Sequence, residues 1–162
     1  TEEYTRRQNI IIEGIKITPN ETPASLRKKV LEEIKNLDIE VDERDIDRVH
    51  RHENPSYDRQ GNKFQPVIVR FTSWFARNEL YQVRYESRYR YRADLTPRRQ
   101  QILQHAEDHL ADTKVNNIVD FVTVDRNCRM ILKTKTGKIH GFSTEEEFDN
   151  QIRLLSLSLI HI

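Results

Sequence analysis

Apolar residues along the chain alternate or recur at helical spacing, and proline and glycine break the pattern, so that it predicts a succession of short elements. Asn9 to Ile15 reads NIIIEGI, a β-branched run closed by a glycine, and predicts a buried strand. Thr22-Pro23 then offers a cap followed by proline at the first helical position. Leu26, Val30, Leu31, Ile34 and Leu37 share one face of the helix that follows. Ile46 to Arg51 (IDRVHR) alternates as a second strand, and Pro55 to Gln65 reads as a polar loop holding Arg59, Gly61 and Lys63. Val67 to Thr72 (VIVRFT) places Val67, Val69 and Phe71 on a core face and Ile68, Arg70 and Thr72 on the other. Ser73 caps a helix predicted to reach about Ser87, with Ala76, Leu80 and Val83 as its stripe, and Arg88 to Ala93 reads as a fourth strand.

The resulting order, β-α-β-β-α-β, is the ferredoxin-like pattern that RNA-recognition motifs share with many unrelated proteins. Thr96-Pro97 repeats the cap-and-proline signal for a third helix to about Ala111, with Ile102, Leu103, Ala106 and Leu110 on one face. Strands are expected at Ile118 to Val124, Cys128 to Thr134 and Lys138 to Phe142, with turns at Asp125 to Asn127 and Thr136-Gly137. Ser143 and Glu146 read as a capping box for a last helix carrying Phe148 and Ile152. The expectation is an α+β chain: a ferredoxin-like domain over 6–95, then a small α+β C-terminal domain (helix, three strands, helix) over 96–155. Residues 157–162 (LSLIHI) read as a translated sequencing-library adapter and are set outside this fold.

At 162 residues, 36% of them apolar, the chain can build one ordinary domain or two small ones. Apolar runs fall far short of the roughly 18 residues a membrane span needs, so no membrane partner is expected. One cysteine, Cys128, cannot close an internal disulfide; it suits a reducing compartment and reads as a buried, inert thiol in mid-strand. Cytoplasm or nucleus follows as the expected location. The net charge of +1 conceals an uneven distribution. Residues 44–99 hold 13 Lys/Arg against 7 Asp/Glu, whereas 1–43 hold 7 against 10 and 100–162 hold 7 against 9. Twelve of the 13 are arginine, whose planar fork suits phosphate and whose face stacks on bases.

Arg88-Tyr89-Arg90-Tyr91-Arg92 carries the sharpest signal. On a strand it puts three guanidinium groups on one face, beside Arg70, and two tyrosines on the other. A solvated strand paired to nearby acids, or an edge strand charged against aggregation, would give the same pattern. Only Glu86 and Asp94 lie close in sequence, which favours binding. Arg48, Arg51, Arg59 and Lys63 around the second strand and its loop, Arg77 and Arg84 on the second helix, and Arg98 and Arg99 at the start of the third complete the cationic set. Singly each reads as an ordinary surface residue; together their density argues for nucleic acid. Tyr57 and Tyr85 are candidates for stacking on bases, with Tyr81 behind them, although tyrosines as often pack with the hydroxyl at the surface. VIVRFTS lacks the aromatic run of a standard RNA-recognition motif, so sequence-tolerant backbone binding is expected.

Enzyme signals fail one by one. His105 and His109 are spaced i, i+4, but the zinc-helix pattern needs glutamate directly after the first histidine, and Glu107 stands elsewhere. His50 and His52 share a strand face with no evident third ligand. Neither a nucleophile elbow nor a P-loop nor a dinucleotide fingerprint occurs. No cofactor, metal or catalysis is expected.

RRQNIIIEGI at Arg6 to Ile15, IDRVHR at Ile46 to Arg51, PVIVRFTS at Pro66 to Ser73 and RADLTPRRQQIL at Arg92 to Leu103 resemble, in that order, landmark segments of LINE-type retrotransposon first-frame proteins. The resemblance spans about Arg6 to Arg153. It implies an RNA-recognition motif followed by a C-terminal domain that together coat single-stranded RNA, with single-stranded DNA as a second target, and act as a nucleic-acid chaperone in a ribonucleoprotein. The family's arginine in its I-V-R-F strand falls on Arg70 and the one before its A-D-L motif on Arg90; its basic loop maps loosely onto Arg48, Arg51 and Arg59. The chain is richer in arginine and tyrosine before Ala93-Asp94-Leu95 than the family pattern, and its C-terminal domain matches only in outline. Members carry a trimeric coiled coil ahead of the motif; Thr1 to Gln8 supplies no heptads, so this chain alone is expected to be monomeric. The competing reading is a protein-interaction or assembly module on a ferredoxin-like fold, its arginine face turned to an acidic partner.

Overall fold

The β-branched run near the N-terminus forms strand β1 (Asn9–Glu13), with Ile10, Ile11 and Ile12 all buried. It is one of two inner strands of the sheet in the first of two compact units, Thr1–Asp94; the second unit is Leu95–Ile162. The computed structural model describes residues 5–160, and the chain is mixed α+β with antiparallel sheets.

In the first unit, β1 is followed by α1 (Pro23–Asn36), β2 (Ile46–Arg51), a short hairpin of β3 (Ser56–Tyr57) and β4 (Lys63–Phe64), β5 (Val67–Phe71), α2 (Trp74–Gln82) and β6 (Arg90–Ala93). Four strands make one sheet in the order β2-β5-β1-β6, every neighbour antiparallel. Thr22 caps α1 as its sequence promised: its hydroxyl accepts from the Ser25 N–H at 3.0 Å and the Ser25 hydroxyl accepts from the Thr22 N–H at 2.9 Å. Leu26, Val30 and Ile34 on α1 and Ala76, Leu80 and Tyr81 on α2 join Val67, Val69 and Phe71 in the buried core.

Several boundaries differ from the sequence expectation, three of them for a clear local reason. The polar stretch 55–65 contains the β3–β4 hairpin, in which Tyr57 pairs with Lys63. Helix α2 stops at Gln82, and a 3-10 turn (Arg84–Glu86) replaces its last turn; the Arg84 guanidinium donates to the freed Tyr81 carbonyl at 2.9 Å. Strand β6 starts at Arg90, not Arg88, because its partner runs out: Glu13 pairs with Arg90, and Gly14 then turns the chain away at φ +114°. The Tyr89 ring fills the space against Gly14, where an added Cβ would meet Tyr89 Cδ1 at 3.0 Å. Gly14→Ala is therefore expected to destabilise the first unit by about 1–3 kcal/mol in urea unfolding, combining a backbone that L-residues avoid with loss of this packing.

The second unit comprises α3 (Pro97–His109), α4 (Thr113–Asn116), a three-stranded sheet of β7 (Val119–Val124), β8 (Met130–Thr134) and β9 (Ile139–Gly141), and α5 (Glu145–Ile160). Its core gathers Ile102, Ala106, Leu132, Phe142 and Phe148, the two phenylalanines edge to face at 5.2 Å. Cys128 is buried but lies in a tight turn at φ +61°, not in mid-strand; the Asp125 carboxylate accepts from the Asn127 and Arg129 N–H groups and holds that turn. The cap of α5 sits one residue beyond the expected Ser143: the Thr144 hydroxyl accepts from the Glu147 N–H, and the Glu147 carboxylate accepts from the Ser143 N–H. Helix α5 also runs on through 157–160, residues set aside as an adapter-derived tail; 161–162 lie outside the described residues. Among the described residues no helix is long and apolar enough to cross a membrane.

Candidate nucleic-acid interface

Cross-strand pairing decides which side chains share a face. Opposite α1 and α2 lie two rows: Arg48–Arg70–Asn9, and His50–Ile68–Ile11–Arg92. Arg70 points away from the core, as alternation required, and Tyr91 points into it, where its hydroxyl donates to the buried Glu33 carboxylate at 3.3 Å. Burial, followed by that nearby carboxylate, raises the Tyr91 pKa well above the phenolic range. Burial, with the Arg48 and His52 charges behind it, lowers the pKa of His50, whose Nδ1 is buried with no hydrogen-bond partner among the described residues.

The arginines of this face are not all equally available. Arg92 donates to Glu13 at 2.6 Å, Arg90 stands 3.6 Å from the same carboxylate, and Arg70 stands 3.6 Å from Asp47. Glu13 is the acid that sequence proximity could not reveal, since 79 residues separate it from Arg92. Arg90 nevertheless keeps 68% of its side chain exposed and Arg88 75%, the latter stacked over the Tyr89 ring at 4.8 Å. Arg48, Arg59 and Lys63 are exposed and form no ion pair among the described residues.

Arg88, Arg90 and Lys63 come together around a groove of about 660 Å³ between the end of β1 and the β3–β4 hairpin. Lys16 adds a fourth cation, Ile15 and Phe64 supply apolar lining, and Glu13 and Asp58 supply the acidic part. Tyr57, exposed, stands across the hairpin from Lys63. Lys16, Ile15 and Phe64 escaped sequence reasoning because only the third dimension joins residues 13–17 to 58–65. The groove can take a planar base against apolar carbon while ammonium and guanidinium groups meet its phosphates.

Other sequence candidates serve the fold. Arg51, expected at the RNA surface, is only 11% exposed: it clasps Glu21 through two hydrogen bonds of 3.0 and 2.8 Å and donates to the carbonyls of Ile15 and Gln65 at 2.7 and 2.8 Å. Arg77 is fully buried, donating to the Asn78 side chain and lying 4.3 Å from the Tyr81 ring; Tyr81 is itself buried and not a stacking surface. Arg84 covers the Tyr81 and Tyr85 rings, leaving Tyr85 exposed at its edge. In the second unit Arg98 pairs with Glu145 at 2.6 Å, a hydrogen bond that lowers the Glu145 pKa, and Arg99 donates to the Cys128 carbonyl. Both tie helix starts to their own unit. No protein-family model matches the chain, and no curated protein matches it either.

Proposed function

We propose that the chain binds single-stranded RNA without catalysis, through the first unit, as a ferredoxin-like RNA-recognition motif of a LINE-type retrotransposon first-frame protein. The observation that carries this reading is the groove rimmed by Lys63, Arg88 and Arg90 beside an exposed tyrosine. The element order β1-α1-β2-β5-α2-β6 and the strand order β2-β5-β1-β6 support it, since both belong to the ferredoxin-like pattern. Arginine-rich, aromatic-poor strands favour backbone contacts over base reading. Moderate, sequence-tolerant affinity that screens phosphate repulsion would let strands exchange, which is the chemistry of a nucleic-acid chaperone.

Fluorescence anisotropy of a labelled single-stranded RNA over a salt series tests this. With about six phosphates neutralised, log affinity falls with log salt at a slope of roughly −4. Saturating protein should also accelerate annealing of that RNA to its complement. A slope near zero, or no binding at low salt, would overturn the reading. Trp74 and Phe75, both exposed and the latter 70% so, favour a second reading as a protein-interaction module. Under it, polynucleotides of unrelated sequence would fail to compete with the bound partner.

A further inference from the structure

We propose that His105, His109 and Asp149 form a site for a divalent transition-metal ion of the zinc class, clipping α3 to α5 within the second unit. In the sequence His105 and His109 fail the zinc-helix pattern, which needs glutamate directly after the first histidine; α5 brings a carboxylate across from 40 residues beyond His109. One ligand atom from each of the three residues falls within 4.8 Å of the others, with His105 Nε2 at 2.8 Å and His109 Nε2 at 4.0 Å from Asp149 Oδ1. Ligands about 2.0–2.1 Å from a tetrahedral zinc ion lie roughly 3.3 Å apart, so small side-chain rotations close this triangle onto an ion.

Three further features point to a cation rather than to a simple hydrogen bond. His109 Nδ1 lies 2.7 Å from the His105 carbonyl oxygen, to which it donates; that fixes the tautomer and leaves the Nε2 lone pair facing the cluster. The two imidazole rings crowd to 4.2 Å between centroids around one carboxylate, which reaches hydrogen-bond distance of His105 only. The fully buried Phe148 ring meets both imidazoles edge-on, at 6.1 and 5.9 Å, and braces their orientation from the core side. Two imidazoles and a single carboxylate suit zinc, cobalt or nickel and not the oxygen-seeking magnesium or calcium. Three protein ligands leave a fourth position on the solvent side, where Asp149 is half exposed, for water.

The test is calorimetric titration of the chelator-treated full chain with zinc chloride, with cobalt(II) absorption alongside. The expected result is one ion per chain at micromolar affinity, visible cobalt bands, and a thermal midpoint raised by several degrees. His109→Gln and Asp149→Asn, the second of which can still accept the His105 hydrogen bond, should each weaken zinc at least about 100-fold with far-ultraviolet dichroism unchanged. Binding that survives both substitutions, or no saturable heat below about 100 μM zinc, would overturn the proposal. Where a variant loses its fold, the parent's cobalt spectrum decides: visible bands support the site, and their absence rejects it.

Discussion

Alanine at Lys63, Arg88 and Arg90 together is expected to lower affinity for a labelled single-stranded RNA about 100-fold near 0.1 M salt. Each phosphate contact on a single strand carries a salt slope of about −0.7, so removing three flattens the slope by about two, and two units of slope at that salt correspond to about two decades of affinity. Urea unfolding should hardly change, because all three side chains are exposed. Glu13→Gln should act in the opposite direction. Its carboxylate holds Arg92 at 2.6 Å, stands 3.6 Å from Arg90 and lines the groove, so neutralising it releases two guanidinium groups and removes a charge that repels phosphate. Anisotropy titrations of the two variants would separate groove binding from a diffuse cationic surface, on which the triple substitution would cost no more than any other three arginines.

Arg51→Met is expected to destabilise the first unit by about 3–5 kcal/mol. It breaks an ion pair whose members are only 11% and 12% exposed, and it strips donors from the Ile15 and Gln65 carbonyls. Methionine keeps the bulk, so the loss reports the charge and its hydrogen bonds. Glu21 supplies the pH signature. The Arg51 hydrogen bond lowers its pKa from the ordinary value near 4.5, so its contribution is fully present above that value and is lost as pH falls through the depressed one. Urea midpoints measured between pH 7 and 3 should therefore fall below about pH 4.5 in the parent, and less steeply in Glu21→Gln, which starts lower.

What could be read along the chain and what could not divide by the range of the interaction. Thr22-Pro23 and Thr96-Pro97 announced α1 and α3, and VIVRF announced β5 with Arg70 outward, because capping and alternation act within a few residues. Strand β6 starts two residues later than alternation predicts: its start depends on where Gly14 takes β1 out of reach, far away in sequence. Arg51 looked like a surface cation because Glu21, Ile15 and Gln65 meet it only in the fold. The hydrogen bonds of Glu13 to Arg92 and of Asp149 to His105 were hidden for the same reason. In the cationic set, charge density was legible, but which charges were already paired was not.

One wall of the groove is a ribbon with two residues per strand, paired only with itself. So short a hairpin has little cooperative stability of its own, and its amides should exchange with solvent far faster than those of β1 or β5. At its root the His52 N–H donates to the Pro66 carbonyl at 2.8 Å and Arg51 donates to the Gln65 carbonyl, so the base of the hairpin is anchored beside the main sheet. On the proposed RNA-binding reading, a wall held so lightly would admit a polymer sideways, at any point along its length, with no free end to thread.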